Sequence, residues 1–191
     1  MSAEPSTKLR VLPIEALRTR LALPPRHPAL LGEAPQPSAF VAALLGEDLA
    51  AEAVTFLSYS LPEREAVWWA AMCVLHTAAS PMAPEQQRAL ALAEDWVRKP
   101  TEEKRRQGGA AAREAGYSSA AALVARAVFA SRLADPASLR AARRVEGAVR
   151  RAADADGSGH RPLRLRRFIA SAQDIAVGGA GRLPPEDEQE A

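Results

Sequence analysis

The chain has 191 residues, enough for a single domain with its own core, since a protein of this size buries about 70% of the surface that its unfolded chain exposes. Its single cysteine excludes an internal disulfide, and its composition, 48% hydrophobic with few aromatic residues, favours helices over strands. The formal net charge of +2 conceals a basic segment, residues 98–167, with 17 basic and 7 acidic side chains between two acidic segments.

The N-terminal end shows neither a signal peptide nor a membrane span. Residues 1–8 are small and polar, and no run of about 18 apolar residues occurs anywhere in the chain. We therefore expect a cytoplasmic protein that does not bind membranes. The predicted organisation is a disordered segment over residues 1–8, one helical domain over residues 9–178 and a disordered acidic tail over residues 179–191.

Helices are predicted along the whole domain, since apolar residues recur at helical spacing between breaks that contain Pro or Gly. The predicted helices span about residues 12–23, 37–45, 48–59, 61–78, 84–98, 101–115, 118–133, 137–155 and 163–177. The short breaks favour antiparallel packing of successive helices. No clean internal repeat supports a regular solenoid. The sequence therefore predicts an all-α fold, either an irregular antiparallel helical bundle or a short α-solenoid of about eight helices.

The stretch LPEREAVWWAAMCVLH, residues 61–76, is predicted to form the central helix of the fold. Ser60 and Glu63 match a Ser-x-x-Glu capping box, in which each side chain accepts a hydrogen bond from a backbone N–H at the start of the helix. Nearly the whole circumference of the helix is apolar, which is typical of a helix buried on all sides. The predicted core residues are Trp68, Trp69, Met72, Cys73, Leu75 and, in the next helix, Trp96.

Cys73 and His76 lie about one helical turn apart, so an activated thiolate is the functional alternative to burial in the core. The core interpretation is favoured because free cysteine is among the most buried residue types. Residues 154–160, DADGSGH, match the first positions of an EF-hand calcium loop, but Leu165 stands where that loop needs a glutamate. No catalytic motif occurs, so we expect a non-enzymatic protein without a cofactor or a metal site.

The basic segment supplies the candidate partner-binding residues. They are concentrated in RRVEGAVRR and RPLRLRR, and they are Arg143, Arg144, Arg150, Arg151, Arg164, Arg166 and Arg167. Such clusters bind phosphate backbones through counterion release or attract acidic proteins. No DNA-binding motif or stacking aromatic residue accompanies them. Three interpretations stay open: a solvated face, a surface for an acidic protein partner, or a nucleic-acid site formed by residues 98–167.

Two blocks of the chain resemble an uncharacterised family of all-helical bacterial proteins. The first, LPEREAVWWA at residues 61–70, follows the family pattern Leu-Pro-x-Arg-Glu-Ala-Val-Trp-Trp-Ala, and the second is WVRKPTEEKRR at residues 96–106. The similarity covers about residues 35–178, and the chain departs from it at residues 129–136. Members of that family accompany type VI secretion genes, so the resemblance implies an accessory or adaptor role and no catalytic residues.

These observations predict a non-enzymatic adaptor or chaperone-like accessory protein that binds another protein. A component of a bacterial secretion system is the partner that the resemblance implies. The first alternative is an immunity-type inhibitor of a toxin, and the second is a nucleic-acid-binding protein that uses residues 98–167.

Overall fold

The computed structural model describes residues 7–13, 19–21, 36–132, 135, 138–157, 159–184 and 186. Over these residues the fold is all-α, without strands, and has eight α-helices: α1 (Pro37–Gly46), α2 (Ala50–Ser60), α3 (Glu63–His76), α4 (Pro84–Arg98), α5 (Glu102–Glu114), α6 (Ala120–Ala130), α7 (Ala142–Ala153) and α8 (Arg161–Ala176). The predicted fold class is confirmed. Most of the predicted helix at residues 12–23 lies outside the described residues. None of the described helices is long and apolar enough to span a bilayer.

Two helices, α3 and α7, occupy the centre of the bundle. Helix α3 packs against α4, α6, α7 and α8, while α7 packs against α2, α3, α6 and α8. In a solenoid each unit contacts only its neighbours along the chain. Because α3 contacts α7 and α8 across several intervening helices, the arrangement is an irregular bundle.

Helix α3 is buried except along one face, which carries Trp68, Met72 and Leu75. Three of the six predicted core residues are fully buried, namely Trp69, Cys73 and Trp96. The Trp69 indole Nε1 donates a hydrogen bond to the Phe168 carbonyl oxygen of α8, over 2.8 Å. Leu75 is 41% exposed, so its prediction as a core residue is wrong, and Trp68 and Met72 are only partly buried. The reason is that this face of α3 borders an open cleft beside α4.

The N-terminal segment packs against the ends of two helices. The Lys8 N–H donates to the Ala176 carbonyl oxygen at the end of α8, and the Arg10 N–H donates to the Ser60 carbonyl oxygen at the end of α2, both over 2.8 Å. The Ser60 hydroxyl donates to the Arg10 carbonyl oxygen over 2.6 Å. These hydrogen bonds attach the described part of the N-terminal segment to the helix ends, and the disorder predicted for residues 1–8 stays a prediction.

After α8 the chain folds back over α3 and α8. The Trp68 indole Nε1 donates to the Ala180 carbonyl oxygen over 2.8 Å, and the Ser171 hydroxyl donates to the Gly181 carbonyl oxygen over 2.6 Å. Gly181 has a φ of +61°, in the left-handed region that glycine adopts without a steric penalty. The described residues just beyond 178 thus lie against α3 and α8, and the disorder predicted for residues 179–191 stays a prediction.

Candidate functional site

An open groove of ≈660 Å³ lies between α5, α6 and the start of α7. Among the described residues that line it, six are arginines and none is acidic. The lining residues are Arg105, Gly109 and Arg113 of α5, Tyr117 in the turn before α6, Arg126, Phe129 and Ala130 of α6, Arg132 and Arg140 in the connection that follows, and Arg144 of α7. We call this feature the arginine groove. A cleft lined by one sign of charge concentrates ligands of the opposite charge, so the groove favours an anion.

Most of these arginines have no carboxylate partner among the residues that the structure describes. The unpaired ones are Arg113, Arg126, Arg132, Arg140 and Arg144. Arg105 differs, because it pairs with Glu102 over 2.7 Å and donates to the Phe129 carbonyl oxygen. A guanidinium presents its N–H donors in a planar fork that matches a carboxylate or a phosphate. The groove therefore offers charge and donors that the described residues leave unneutralised.

Two exposed aromatic rings lie among the arginines. Tyr117 is 58% exposed and Phe129 is 47% exposed. The guanidinium carbon of Arg126 lies 5.6 Å from the Tyr117 ring centroid, and that of Arg105 lies 5.2 Å from the Phe129 ring centroid. The sequence predicted no stacking aromatic residue beside RRVEGAVRR and RPLRLRR, and of those clusters only Arg144 lines the groove, so the two rings accompany other arginines. The sequence pattern missed them because neither ring is near an arginine-rich run of the chain.

Two adjacent glycines of α5 allow α6 to approach closely. A Cβ atom on Gly108 would lie 2.7 Å from the Ala125 carbonyl oxygen, and one on Gly109 would lie 3.2 Å from the Phe129 ring. Glycine weakens a helix interior by about 1 kcal/mol relative to alanine, but at Gly108 no larger residue fits without a shift of the α6 backbone, and at Gly109 the Phe129 ring would have to move slightly. The glycines thus let the Phe129 ring pack directly on the backbone of α5.

Glu63, the first residue of α3, binds the connection between α6 and α7. Its carboxylate accepts hydrogen bonds from the Arg132 N–H over 2.6 Å, the Ser138 hydroxyl over 2.9 Å and the Ala141 N–H over 3.4 Å. The predicted capping box does not form, since no side chain caps α3 and the Ser60 hydroxyl donates to the N-terminal segment. The Ser-x-x-Glu pattern is local, whereas the donors that Glu63 meets lie 69 or more residues away in the sequence.

The predicted partner-binding arginines do not form one surface. Arg144 lines the arginine groove. Arg164 is only 2% exposed and pairs with Asp156 and Glu186, so its prediction as a partner-binding residue is wrong. The others are distributed: Arg143 and Arg151 are exposed on α7, Arg150 pairs with Glu146, Arg166 pairs with Asp48, and Arg167 lines a separate shallow cleft.

Arg164 is the centre of a second group of charged residues, which we call the Arg164 cluster. Its guanidinium donates to Glu186 over 2.5 and 2.7 Å and to Asp156 over 3.1 and 3.2 Å. The buried His76 donates from Nδ1 to the Pro184 carbonyl oxygen, and its Nε2 lies 3.6 Å from Glu186. The hydrogen bonds that Arg164 donates to Glu186 lower the pKa of Glu186 and raise the pKa of Arg164. These contacts join α3, α8 and the end of the chain.

Cys73 and His76 do not form an activated pair. Burial raises the pKa of the Cys73 thiol well above its usual value, whereas a reactive thiolate needs a lowered pKa. Among the described residues no group of three or more His, Cys, Asp or Glu side chains could hold a metal ion. In the stretch that begins like a calcium loop, Asp154 pairs with Arg161.

Comparison with known proteins identifies the family without assigning an activity. No curated protein and no solved structure matched the chain significantly. The model of a family of unknown function, DUF6931, matches residues 40–176, which include Glu63 and every residue that lines the arginine groove. Because this match covers more than half of the chain, the protein belongs to the DUF6931 family.

Proposed function

We propose that this protein is a non-enzymatic adaptor that binds an acidic segment of a partner protein in the arginine groove. The observation that carries the proposal is the lining of the groove, where five unpaired arginines and two exposed aromatic rings converge without an acidic residue. Like charges held together in this way repel each other, and an acidic ligand relieves the repulsion.

Carboxylate groups suit the donors of the groove. Arginine binds a carboxylate through two parallel N–H···O bonds, which fix the orientation of the ligand as well as attract it. Arginine and aromatic side chains are also enriched in the few residues that dominate protein–protein affinity. The stacked pair of Arg126 and Tyr117 therefore combines a charged and an apolar contact at one place.

Single-stranded nucleic acid is the second candidate ligand, and the exposed rings of Tyr117 and Phe129 favour it. Bases stack on such rings while phosphates bind the basic residues around them. We favour the protein partner because each ring already has a guanidinium close to it, Arg126 for Tyr117 and Arg105 for Phe129. Those guanidinium groups leave less ring surface for a base.

The biological setting is proposed from the sequence resemblance. That resemblance connects the double-tryptophan motif with type VI secretion, so the proposed partner is a component of a bacterial secretion system and the proposed location is the cytoplasm. A chaperone-like accessory role is compatible with this setting. An immunity-type inhibitor would use the same groove to bind an acidic surface of a toxin.

The test is a binding titration by fluorescence anisotropy at low and at high salt. One probe is a labelled decaglutamate peptide that carries one tryptophan, and the other is a labelled single-stranded oligothymidine of similar charge. The double variant Arg126→Gln/Arg140→Gln removes two unpaired charges of the groove. The matched control Arg143→Gln/Arg151→Gln removes two exposed charges that do not line the groove.

We expect the groove variant to bind the peptide at least about tenfold more weakly, since a hydrogen bond to a charged group is worth about 1.5–3 kcal/mol and 1.4 kcal/mol is tenfold. The control variant should stay within about twofold of the wild type, because isolated surface charges contribute little. Salt should weaken the peptide complex by screening. Binding of the oligothymidine alone would favour the second candidate, and no binding of either probe at low salt would contradict both.

A further inference from the structure

We infer that Glu63 is a positioning residue of the arginine groove: it holds the connection between α6 and α7 so that Arg132 and Arg140 stay in the groove wall. The consequence for ligand binding rests on the proposed function. The contact itself is independent of what the groove binds, because it is made to backbone groups and to one serine.

The carboxylate reaches both groove arginines through their backbone. Glu63 Oε2 accepts the hydrogen bond of the Arg132 N–H over 2.6 Å. Glu63 Oε1 accepts that of the Ser138 hydroxyl over 2.9 Å, and the same hydroxyl oxygen accepts a bond from the Arg140 N–H over 3.4 Å. Since the backbone is held in this way, both guanidinium groups remain available to the groove, where they have no carboxylate partner among the described residues.

Glu63 is only 9% exposed, and a buried carboxylate needs donors or an opposite charge. The three hydrogen bonds supply the donors. The Arg10 guanidinium supplies the charge: burial lowers the pKa of Arg10, and the attraction of Glu63 opposes that shift. Arg10 also donates to the Ser138 carbonyl oxygen over 3.5 Å. Loss of the Glu63 charge would therefore weaken two sets of contacts with the connection, namely the hydrogen bonds that Glu63 accepts and the contact that Arg10 makes with Ser138.

The contact originates in the central part of the bundle. Glu63 lies in the first turn of the central helix α3, which packs against both α6 and α7. Those two helices lie at the ends of the connection, and between them Glu63 binds Arg132, Ser138 and Ala141. Binding residues on a connection keep their geometry only when a rigid element and a second layer of hydrogen bonds support them.

The test uses Glu63→Gln, which keeps the size of the side chain but replaces one acceptor oxygen by an amide donor that faces another donor. The matched control is Glu146→Gln in α7, because that carboxylate also accepts a side-chain hydrogen bond, from the Thr55 hydroxyl over 2.7 Å, but does not line the groove. If Glu63→Gln does not fold, Ser138→Ala is tested in its place. This variant removes the hydroxyl group that connects Glu63 with the Arg140 N–H, and it leaves Glu63 with two hydrogen-bond donors.

The affinity for the decaglutamate probe is measured in a double-mutant cycle of the wild type, Glu63→Gln, Arg132→Gln/Arg140→Gln and the triple variant. We expect Glu63→Gln to weaken binding about fivefold, the scale of coupling within one hydrogen-bond network. In the Arg132→Gln/Arg140→Gln background it should weaken binding no further. Amide exchange at Arg132 and Ala141 should become faster in Glu63→Gln, and Ser138→Ala should weaken binding in the same direction. The Glu146→Gln control should bind like the wild type even if it unfolds more easily.

Equal affinity of Glu63→Gln and the wild type, or an equal loss in both backgrounds of the cycle, would overturn the inference and leave the proposed function intact. A loss of affinity in Glu146→Gln as large as that in Glu63→Gln would also overturn it, since general destabilisation would then explain both. A wild-type protein that binds no acidic peptide overturns the proposed function. In that case, equal rates of amide exchange at Arg132 in the wild type and in Glu63→Gln would also overturn the inference that Glu63 holds the connection.

Discussion

The arginine groove and the Arg164 cluster use the same residue type in opposite ways. In the cluster, one guanidinium is 2% exposed and binds the carboxylates of Glu186 and Asp156. In the groove, five of the six guanidinium groups have no carboxylate partner among the described residues, and none of the described lining residues is acidic. The difference is whether the fold brings carboxylates to the arginine. Arginine density along the chain therefore does not indicate which arginines are available to a partner.

The largest expected effect tests the Arg164 cluster, in which the arginine is paired with carboxylates. Arg164→Met should lower the free energy of unfolding by about 3 kcal/mol, the lower end for breaking a buried ion pair, because both carboxylate partners keep some contact with solvent. Arg113→Met in the groove should change it by less than about 0.5 kcal/mol, since Arg113 is exposed and unpaired. Chemical denaturation of both variants measures the two values. Equal losses would show that the groove arginines are also structural.

A smaller effect tests the close packing that shapes the groove. Gly108→Ala would place a Cβ atom 2.7 Å from the Ala125 carbonyl oxygen, so an overpacking cost of about 1–3 kcal/mol exceeds the gain in helix propensity of about 1 kcal/mol. We expect a net loss of stability of about 1 kcal/mol and weaker binding of the acidic peptide. The matched control is Gly147→Ala in α7, whose added Cβ would make only an ordinary contact with Leu123 at 3.4 Å. It should stabilise the protein by about 0.4–1 kcal/mol, and thermal unfolding distinguishes the opposite signs.

The smallest effect is a pH dependence of the Arg164 cluster. Hydrogen bonds from Arg164, together with the attraction of Arg164, His76 and His160, hold the pKa of Glu186 below its ordinary value. The folded state therefore releases this proton at a lower pH than the unfolded state does. The stabilisation is complete above the ordinary glutamate pKa of about 4.3, and it is lost as the pH falls through the folded pKa.

Unfolding midpoints between neutral and acid pH, for the wild type and Glu186→Gln, measure this contribution. The difference between the two proteins should be largest near neutral pH and should shrink in acid. Arg113→Met should differ from the wild type by the same small amount at every pH, because no carboxylate among the described residues pairs with Arg113. A difference for Glu186→Gln that does not change with pH would contradict the role assigned to its charge.

Local features of the fold were predictable from the sequence. The helix at residues 84–98 was predicted with both ends where α4 has them, because Pro84 starts it and Pro100 follows its end. The burial of Trp69 and Cys73 followed from apolar periodicity. The same reasoning failed for Leu75, since periodicity shows which residues share a helix face but not whether another helix covers that face.

The candidate site was predictable only in part. The excess of positive charge over residues 98–167 was visible, and the groove lies within that segment. Of the groove arginines, only Arg144 was among the candidates. The other five are isolated or paired along the sequence, in α5, in α6 and in the connection that follows, so they do not form an arginine-rich run. The adjacent Gly108 and Gly109 are a local signal of a close helix contact there, although from the sequence alone such glycines indicate only a weaker helix.

The sequence by itself determined the all-α class, most helix boundaries and the location of the positive charge, because these depend on local backbone preferences and on the number of charged residues. Only the tertiary structure decided which charges are neutralised. Arg164 is paired because the chain after α8 returns with Glu186, and Glu63 binds Arg132 and Ala141 because α3 packs against α6 and α7. Hydrogen bonds and ion pairs act over a few ångströms, and residues this far apart in the chain come within that range only when the helices pack.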